Sequence, residues 1–267
     1  MTDDYTLFHY SDIGGIHGIL TSGCMWATDY RYLNDTNELS TAIKSLIDFC
    51  SDEWREALTW GLNYHSRHRS HFVISFSKSP KVLSQWRAYA SDGKGAAIGF
   101  RAKCMERNQE KNTKVSLVEC NYHDHSTQIE RVAKKHESTL KLIVSLYIDT
   151  IAINSFMRKL EEKYIVLDQL FDDLLSIKNE AFSEEQEVRL VLHASKQEVK
   201  LRTTSNLLIP YVEHHFIPKD DRPMLWYAVS EIWLGPKCDL RNKESFEYYK
   251  GLDRYSNEIQ VYDCGYK

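Results

Sequence analysis

An α+β fold is predicted by three features of the sequence. Short apolar runs of strand length, bounded by turn residues, fill the chain up to Tyr122 and recur after Gln186. Between them, from about Gln128 to Glu180, apolar residues such as Ile143, Leu146, Tyr147, Leu167, Leu170 and Leu174 recur at helical spacing without a proline. No P-loop or Rossmann glycine pattern occurs, and Gly93-Lys94-Gly95 reads only as a turn. The 267 residues, 42% of them hydrophobic, can bury a full core. They suit one domain over 1–267 with a helical insert at about 126–180.

The elements follow in order. Tyr5–Tyr10 reads as the first strand. A helix from Asp12 to about Ser22 follows, capped by Ser11 or Asp12 and ended by Gly23. Met25–Ala27 is a short strand, and Asn37 to about Leu58 a helix with Leu39, Ile43, Leu46 and Ile47 on one side. Phe72–Ser77 is a strand, Leu83–Ala90 a short helix, and Ala96–Phe100 and Val115–Tyr122 are strands. Beyond the insert, strands are expected at Glu187–His193, Val199–Leu201, Leu208–Val212, Ala228–Leu234 and Gln260–Asp263.

A net charge of −4 gives no broad basic field, so a nucleic-acid partner needs a local patch. Arg67–Arg69, Lys134-Lys135 and the group Arg158, Lys159 and Lys163 are the candidates, or they are solvated helix faces. The six cysteines form no C-x-x-C pair and read as reduced, mostly buried thiols. With no apolar leader and no run of about 18 apolar residues, the expectation is a soluble, cytoplasmic chain without a membrane partner.

Four segments can carry chemistry. Phe8-His9-Tyr10-Ser11 ends a strand, where His9 can offer a ring nitrogen to a sugar hydroxyl and Ser11 can bind an amide. The stretch Trp26 to Glu38 is either turn and cap chemistry or a loop over a ligand. In it, Tyr30 or Tyr32 would stack, with Asn34 beside them, and Asp35 and Glu38 would form a capping box. Ser75-Phe76-Ser77 precedes Trp86-Arg87-x-Tyr89. Trp86 and Tyr89 share a helix face, as core or as flanks of a flat ring, and Arg87 can pair with a phosphate. Glu185-x-Glu187-x-Arg189 alternates at period two, which on a strand puts three charged groups on one face. That face is either exposed or the wall of a cleft. His65-x-x-His68-x-x-His71 can share one helix face, but these and His214-His215 lack a Cys or Asp at ligand spacing, so no metal site is expected.

In this order the segments resemble a widespread bacterial family recorded only as a domain of unknown function. The shared positions include His9-Tyr10-Ser11, Trp26, Asn34-Asp35, Ser75-Phe76-Ser77, Trp86, Tyr89, Gly95 and Glu185-x-Glu187-x-Arg189. The likeness covers residues 5–101 and 180–193; Val188 departs from it, standing where the family usually has an aromatic.

The order is also similar to the His–Tyr–Glu type of the ADP-ribosyltransferase superfamily. That resemblance implies a split mixed or antiparallel sheet with flanking helices, NAD as co-substrate, and His9, Tyr89 and Glu187 as the catalytic set. Phe76, Tyr10 or Tyr30 can stand in for Tyr89. It further implies that Tyr10, Ser11, Tyr30, Asn34, Ser75, Phe76, Ser77, Trp86 and Arg87 contact NAD. Glu185 would orient the acceptor, and Arg87 or Arg189 would meet the pyrophosphate.

The expected function is ADP-ribosyl transfer to a macromolecule, RNA or DNA before protein. The setting is a toxin or phage-defence effector, with a possible antitoxin partner. Competing readings are an NAD glycohydrolase, a metal-dependent nuclease using Asp29, Asp35, Glu38 and Glu187, and a non-catalytic nucleotide-binding module.

Overall fold

The strands described join into one branched sheet, and the branch point creates the cavity discussed below. The computed structural model describes residues 5–33, 37–106, 114–149, 153–194, 196–216, 227–250 and 258–266. Asn34 and Asp35 lie outside them. The first half runs β1 (Thr6–Ser11), α1 (Ile13–Ser22), β2 (Cys24–Asp29), α2 (Asn37–Phe49), α3 (Arg55–His68), β3 (Ser70–Ser77), α4 (Leu83–Tyr89), β4 (Ala96–Arg101), α5 (Ala102–Met105) and β5 (Lys114–Glu119). Four helices follow: α6 (His125–Lys135), α7 (Glu137–Ile148), α8 (Ile153–Glu161) and α9 (Tyr164–Leu174). The remainder is β6 (Glu187–Ala194), β7 (Lys200–Thr203), β8 (Leu208–His215), β9 (Val229–Leu234), α10 (Arg241–Lys250) and β10 (Glu258–Val261).

β6 pairs with β3 along its whole length, from Ser70↔Ala194 to Ser77↔Glu187. The other edge of β3 is divided. β1 meets it only at Phe8↔Ser77, and β2 only at Thr28↔Val73 and Asp29↔Phe72. One wing continues through β4, β9 and β10, the other through β8 and β7. Among the described strands only β9–β10 pairs in parallel, so the sheet is mixed. The fold is α+β, as expected, and the sheet is split at β3.

Strand alternation assigns the two faces. Phe72, Ile74 and Phe76 of β3, with Val188, Leu190 and Leu192 of β6, enter the core beneath α1 and α5. Val73 and Val191 enter a second core with α2, α3 and α6–α9. The predicted insert is therefore part of a helical layer shared with α2 and α3, and β5 and β6 at its two ends pair directly. A third, small core holds Phe8, Tyr10, Trp86, Ala97 and Trp233.

Local signals explain most boundaries. Asp12 caps α1 by accepting from the Gly15 N–H, and Gly23 ends it at φ 65. The helix expected from Asn37 to Leu58 is two helices. Ser51 turns extended and a 3-10 turn at Asp52–Trp54 separates them, with Ser and Asp both weak helix formers. The shift carries α3 on to His68, which leaves His71 in β3 rather than on a helix face with His65 and His68. α10 was not anticipated. Gly95 sits where a Cβ would lie 2.2 Å from the Ser11 carbonyl oxygen, so its place in the motif is a close backbone approach as well as a turn.

Candidate functional site

The split of β3 opens a cavity of about 300 Å³, and residues from both wings and the helical layer wall it. His9 comes from β1, Ser75 and Phe76 from β3, Tyr30 from the turn after β2, Gln85 and Tyr89 from α4. Glu185, Glu187 and Arg189 form the far wall, with Lys178 and Glu38.

His9 bridges the split. Its Nδ1 lies 3.0 Å from the Ser75 carbonyl oxygen, on the edge of β3 that neither wing covers. A carbonyl only accepts, so Nδ1 carries the proton and Nε2 is left as an acceptor. Burial pulls the imidazole below its ordinary pKa, against the hydrogen bond to Ser75. His9 is thus neutral at pH 7. A ligand hydroxyl bonded to it should add about 0.5–1.5 kcal/mol, so a dinucleotide held by a ribose hydroxyl at Nε2 would bind His9→Ala roughly two- to tenfold more weakly. Calorimetry from pH 8 down to pH 5 checks this. Wild-type affinity should hold near pH 7 and fall only in acid, while the variant should show no such step.

The carboxylates form a closed network. Lys178 Nζ donates to Glu185 Oε2 at 2.5 Å and to Glu187 Oε2 at 2.6 Å. Arg189 grips Glu187 through Nε at 3.0 Å and Nη2 at 3.1 Å, bonds Glu38 at 2.9 Å, and donates Nη1 to the Leu175 carbonyl at 2.8 Å. Tyr122 accepts from the Glu187 N–H at 2.7 Å, and the Cys120 thiol lies 3.7 Å from Glu187. Burial pushes that thiol up, so it is protonated and can donate. Gln186, at φ 46, turns the chain between the two glutamates. Such a conformation costs a non-glycine residue about 1–2 kcal/mol. The reversal brings Glu185, which precedes the strand in a 3-10 turn, to the same ammonium as Glu187.

Burial alone would raise the Glu187 carboxyl, but Arg189 and Lys178 outweigh it and hold the group at about 2. Burial likewise opposes the charge on Lys178, yet Glu187 and Glu185 keep its ammonium above the usual value. The sign of the linkage follows. The folded pKa of Glu187 lies below its ordinary 4.5, so its contribution is complete above pH 4.5 and is lost as pH falls towards 2. The size is about 3 kcal/mol. Melting temperatures from pH 6 to pH 2.5 should fall steeply for the wild type and less steeply for Glu187→Gln.

The other expected residues divide clearly. Tyr10, Tyr30, Tyr89, Ser75 and Phe76 line the cavity. Tyr10 donates to the Ser79 carbonyl at 2.7 Å, and Tyr30 shares a hydrogen bond with Ser66 at 2.6 Å. Trp86 does not line it. The indole is fully buried, edge-on to Tyr10 at 4.8 Å, and donates to the Pro80 carbonyl at 2.9 Å. On α4 the cavity face is Gln85 and Tyr89, one turn apart, and Trp86 is the core residue supporting them.

Ser77 is also structural, its hydroxyl donating to the Glu185 carbonyl at 2.7 Å. Ser11 and Arg87 lie outside the lining, and Arg87 sits over the Tyr266 ring at 5.8 Å. Arg189 is spent on Glu187, Glu38 and Leu175, so it is not available for pyrophosphate. Arg202, which sequence reasoning passed over, is the remaining guanidinium in the described wall. Its Nη2 donates to Thr28 at 2.9 Å, and its Nε has no partner. Lys178 was also missed.

Of the residues named for a nuclease, Glu38 and Glu187 line the cavity together and Asp35 lies outside the described residues. Asp29 is clamped by Arg31 at 2.6 and 2.9 Å and lies outside the cavity lining; Glu38 and Glu187 are held by Arg189. Among the described residues, the groups with ion-holding geometry are Cys24 with Glu213 and His215, and His65 with His71 and Asp168. Spacing along the chain offers these histidines no acidic partner, but for His65 and His71 the fold brings in Asp168 from distant chain.

All the cysteines are free. No helix among the described residues is long and apolar enough to cross a membrane. Residues 85–190 match a family model described as "Protein of unknown function (DUF2971)". The matched span takes in the helical layer α6–α9, which the motif likeness had left out. Comparisons with curated proteins and with solved structures found no match.

Proposed function

We propose that the chain is an NAD-dependent ADP-ribosyltransferase whose reaction centre is the cavity in the sheet split. The supporting observation is that His9, Tyr89 and Glu187, from three distant parts of the chain, line one cavity. Its volume, about 300 Å³, is at the low end for small-molecule sites. It therefore encloses the nicotinamide riboside end and leaves the rest of the dinucleotide at the mouth. Tyr89 and Tyr30 offer faces for the pyridinium ring, and His9 Nε2 accepts from a ribose hydroxyl. Arg202 takes the phosphate role first expected of Arg87 or Arg189.

Cleavage of the bond between ribose C1′ and the nicotinamide nitrogen sends its electron pair to that nitrogen. Positive charge builds on the ribose as an oxocarbenium ion. In the network, Glu38, Glu185 and Glu187 face Lys178 and Arg189, leaving one formal negative charge. The two cations keep Glu187 ionised and fixed in place, so it meets the developing charge without reorganising. Glu185, tied to Lys178 through Oε2, takes the acceptor's proton as the acceptor oxygen bonds to C1′.

The acceptor in this reading is RNA or DNA, as for a toxin or phage-defence effector. Arg69, Lys134 and Lys135 are paired with Asp168, Glu130 and Asp173, so a phosphate backbone would be met by exposed groups such as Arg67 and Arg158. NAD labelled in its adenylate phosphate, incubated with the chain and RNA, DNA or total protein, should put label on nucleic acid with matching release of nicotinamide. Label on protein would move the acceptor. Mg²⁺-dependent strand cleavage indifferent to NAD would replace the reading with a nuclease. Thermal stabilisation by NAD without nicotinamide release would make the cavity a binding module.

A further inference from the structure

A second polar cluster lies on the same face of β3 and β6, at the opposite end from the cavity. His71 and His193 are cross-strand partners there. They stand four residues along each strand from Ser75 and Arg189, roughly 13 Å away at about 3.3 Å per residue. α3 supplies His65, and α9 supplies Asp168 and Asp172, one turn apart. His65, His71, His193 and Asp168 are essentially inaccessible to solvent. Yet both ring nitrogens of His65, both of His71, and Nδ1 of His193 have no hydrogen-bond partner. An unsatisfied buried polar atom costs about 1–3 kcal/mol, so five together call for an explanation.

We infer that His65, His71 and Asp168, with His193 beside Asp168 as the nearest further imidazole, form a structural site for a divalent transition metal, with zinc the best match. The spacings favour a metal over a hydrogen-bonded network. Ligands 2.0–2.1 Å from a tetrahedral zinc lie about 3.3 Å from one another. His65 Nε2 is 3.2 Å from Asp168 Oδ1, and His193 Nδ1 is 3.4 Å from the same oxygen. Neither nitrogen has a hydrogen-bond partner, and both spacings match a tetrahedron's edge. One ligand atom each from His65, His71 and Asp168 falls within 4.8 Å of the others.

The surrounding groups fit a ligand shell. His193 donates its Nε2–H to Asp172 at 2.7 Å, which turns Nδ1 towards the cluster as an acceptor. Arg69 donates to both Asp168 oxygens, to Oδ2 at 3.1 Å and, more weakly, to the shared Oδ1 at 3.3 Å. Asp168 and Asp172 less the charge of Arg69 leave one net negative charge to meet a divalent ion, and imidazoles with a carboxylate favour zinc over magnesium or calcium. No ligand position faces solvent, so the ion would clamp the helical layer to the sheet and do no chemistry.

Metal analysis of the full chain tests this. About one equivalent of zinc per chain is expected. Chelation should remove it and lower the melting temperature, and Zn²⁺ should restore both. His71→Gln and His193→Gln should each retain less than about a tenth of an equivalent. His68→Gln, an exposed neighbour stacked on Tyr64, should keep it all. Should the inner variants fail to fold, Co²⁺ loading of the stripped wild type decides. The expected spectrum is that of a four-coordinate nitrogen and oxygen site. Thiolate charge-transfer bands would assign the ion to Cys24 with Glu213 and His215, and would overturn the inference. So would a chain that binds neither Zn²⁺ nor Co²⁺.

Discussion

Replacing Glu187 by Gln should cut nicotinamide release about 10²- to 10³-fold while NAD still binds. The size follows from removing one preorganised charge, worth about 3–4 kcal/mol, from a transition state whose ribose is cationic. Gln keeps the volume and a hydrogen-bonding oxygen, so the cavity keeps its shape. Each cation also keeps another carboxylate, Lys178 on Glu185 and Arg189 on Glu38. The variant should therefore fold, and its melting temperature at pH 7 separates a chemical defect from a structural one. Single-turnover kinetics with saturating NAD give the comparison. A rise in KM with kcat unchanged would assign Glu187 to binding rather than to the chemical step.

Arg189→Met should produce the largest loss of stability, about 3–5 kcal/mol. The guanidinium is buried and joins β6 to Glu38 of α2 and to the end of α9 at Leu175. Removing it leaves Glu187 with Lys178 alone and strands the Leu175 carbonyl. For a chain of this length the loss corresponds to roughly 10 °C in melting temperature. Met fills similar volume, so the change reports lost charge pairing more than a cavity. A melting temperature within a degree or two of wild type would mean that the network is not what ties these elements together.

The parts of the site written along one strand were legible before the fold was known. Period-two spacing put Glu187 and Arg189 on one face, and both stand there. The capping signals at Asp12 and Gly23 are local and also held. What sequence reasoning missed depends on long-range geometry. Lys178 ends the helical stretch and gains meaning only because the turn through Gln186 folds Glu185 and Glu187 back onto it. Trp86 and Tyr89 looked equivalent on helical spacing, but the small core around Tyr10 claims the indole and leaves Gln85 and Tyr89 to the cavity.

The histidines show the same limit in another form. Spacing within His65–His71 suggested one helix face, whereas the helix stops at His68. The acidic partner is Asp168, about a hundred residues away, and the third imidazole, His193, is set by strand register. Neither relation has a signature in a single sequence.

The most direct test of the account is a crystal structure of Glu187→Gln grown with NAD, since the variant should hold the dinucleotide uncleaved. The account predicts the nicotinamide riboside end in the split of β3, against Tyr89, with a ribose hydroxyl on His9 Nε2 and another on the residue-187 side chain. NAD bound on a different surface, or a cavity left vacant at saturating NAD, would contradict it.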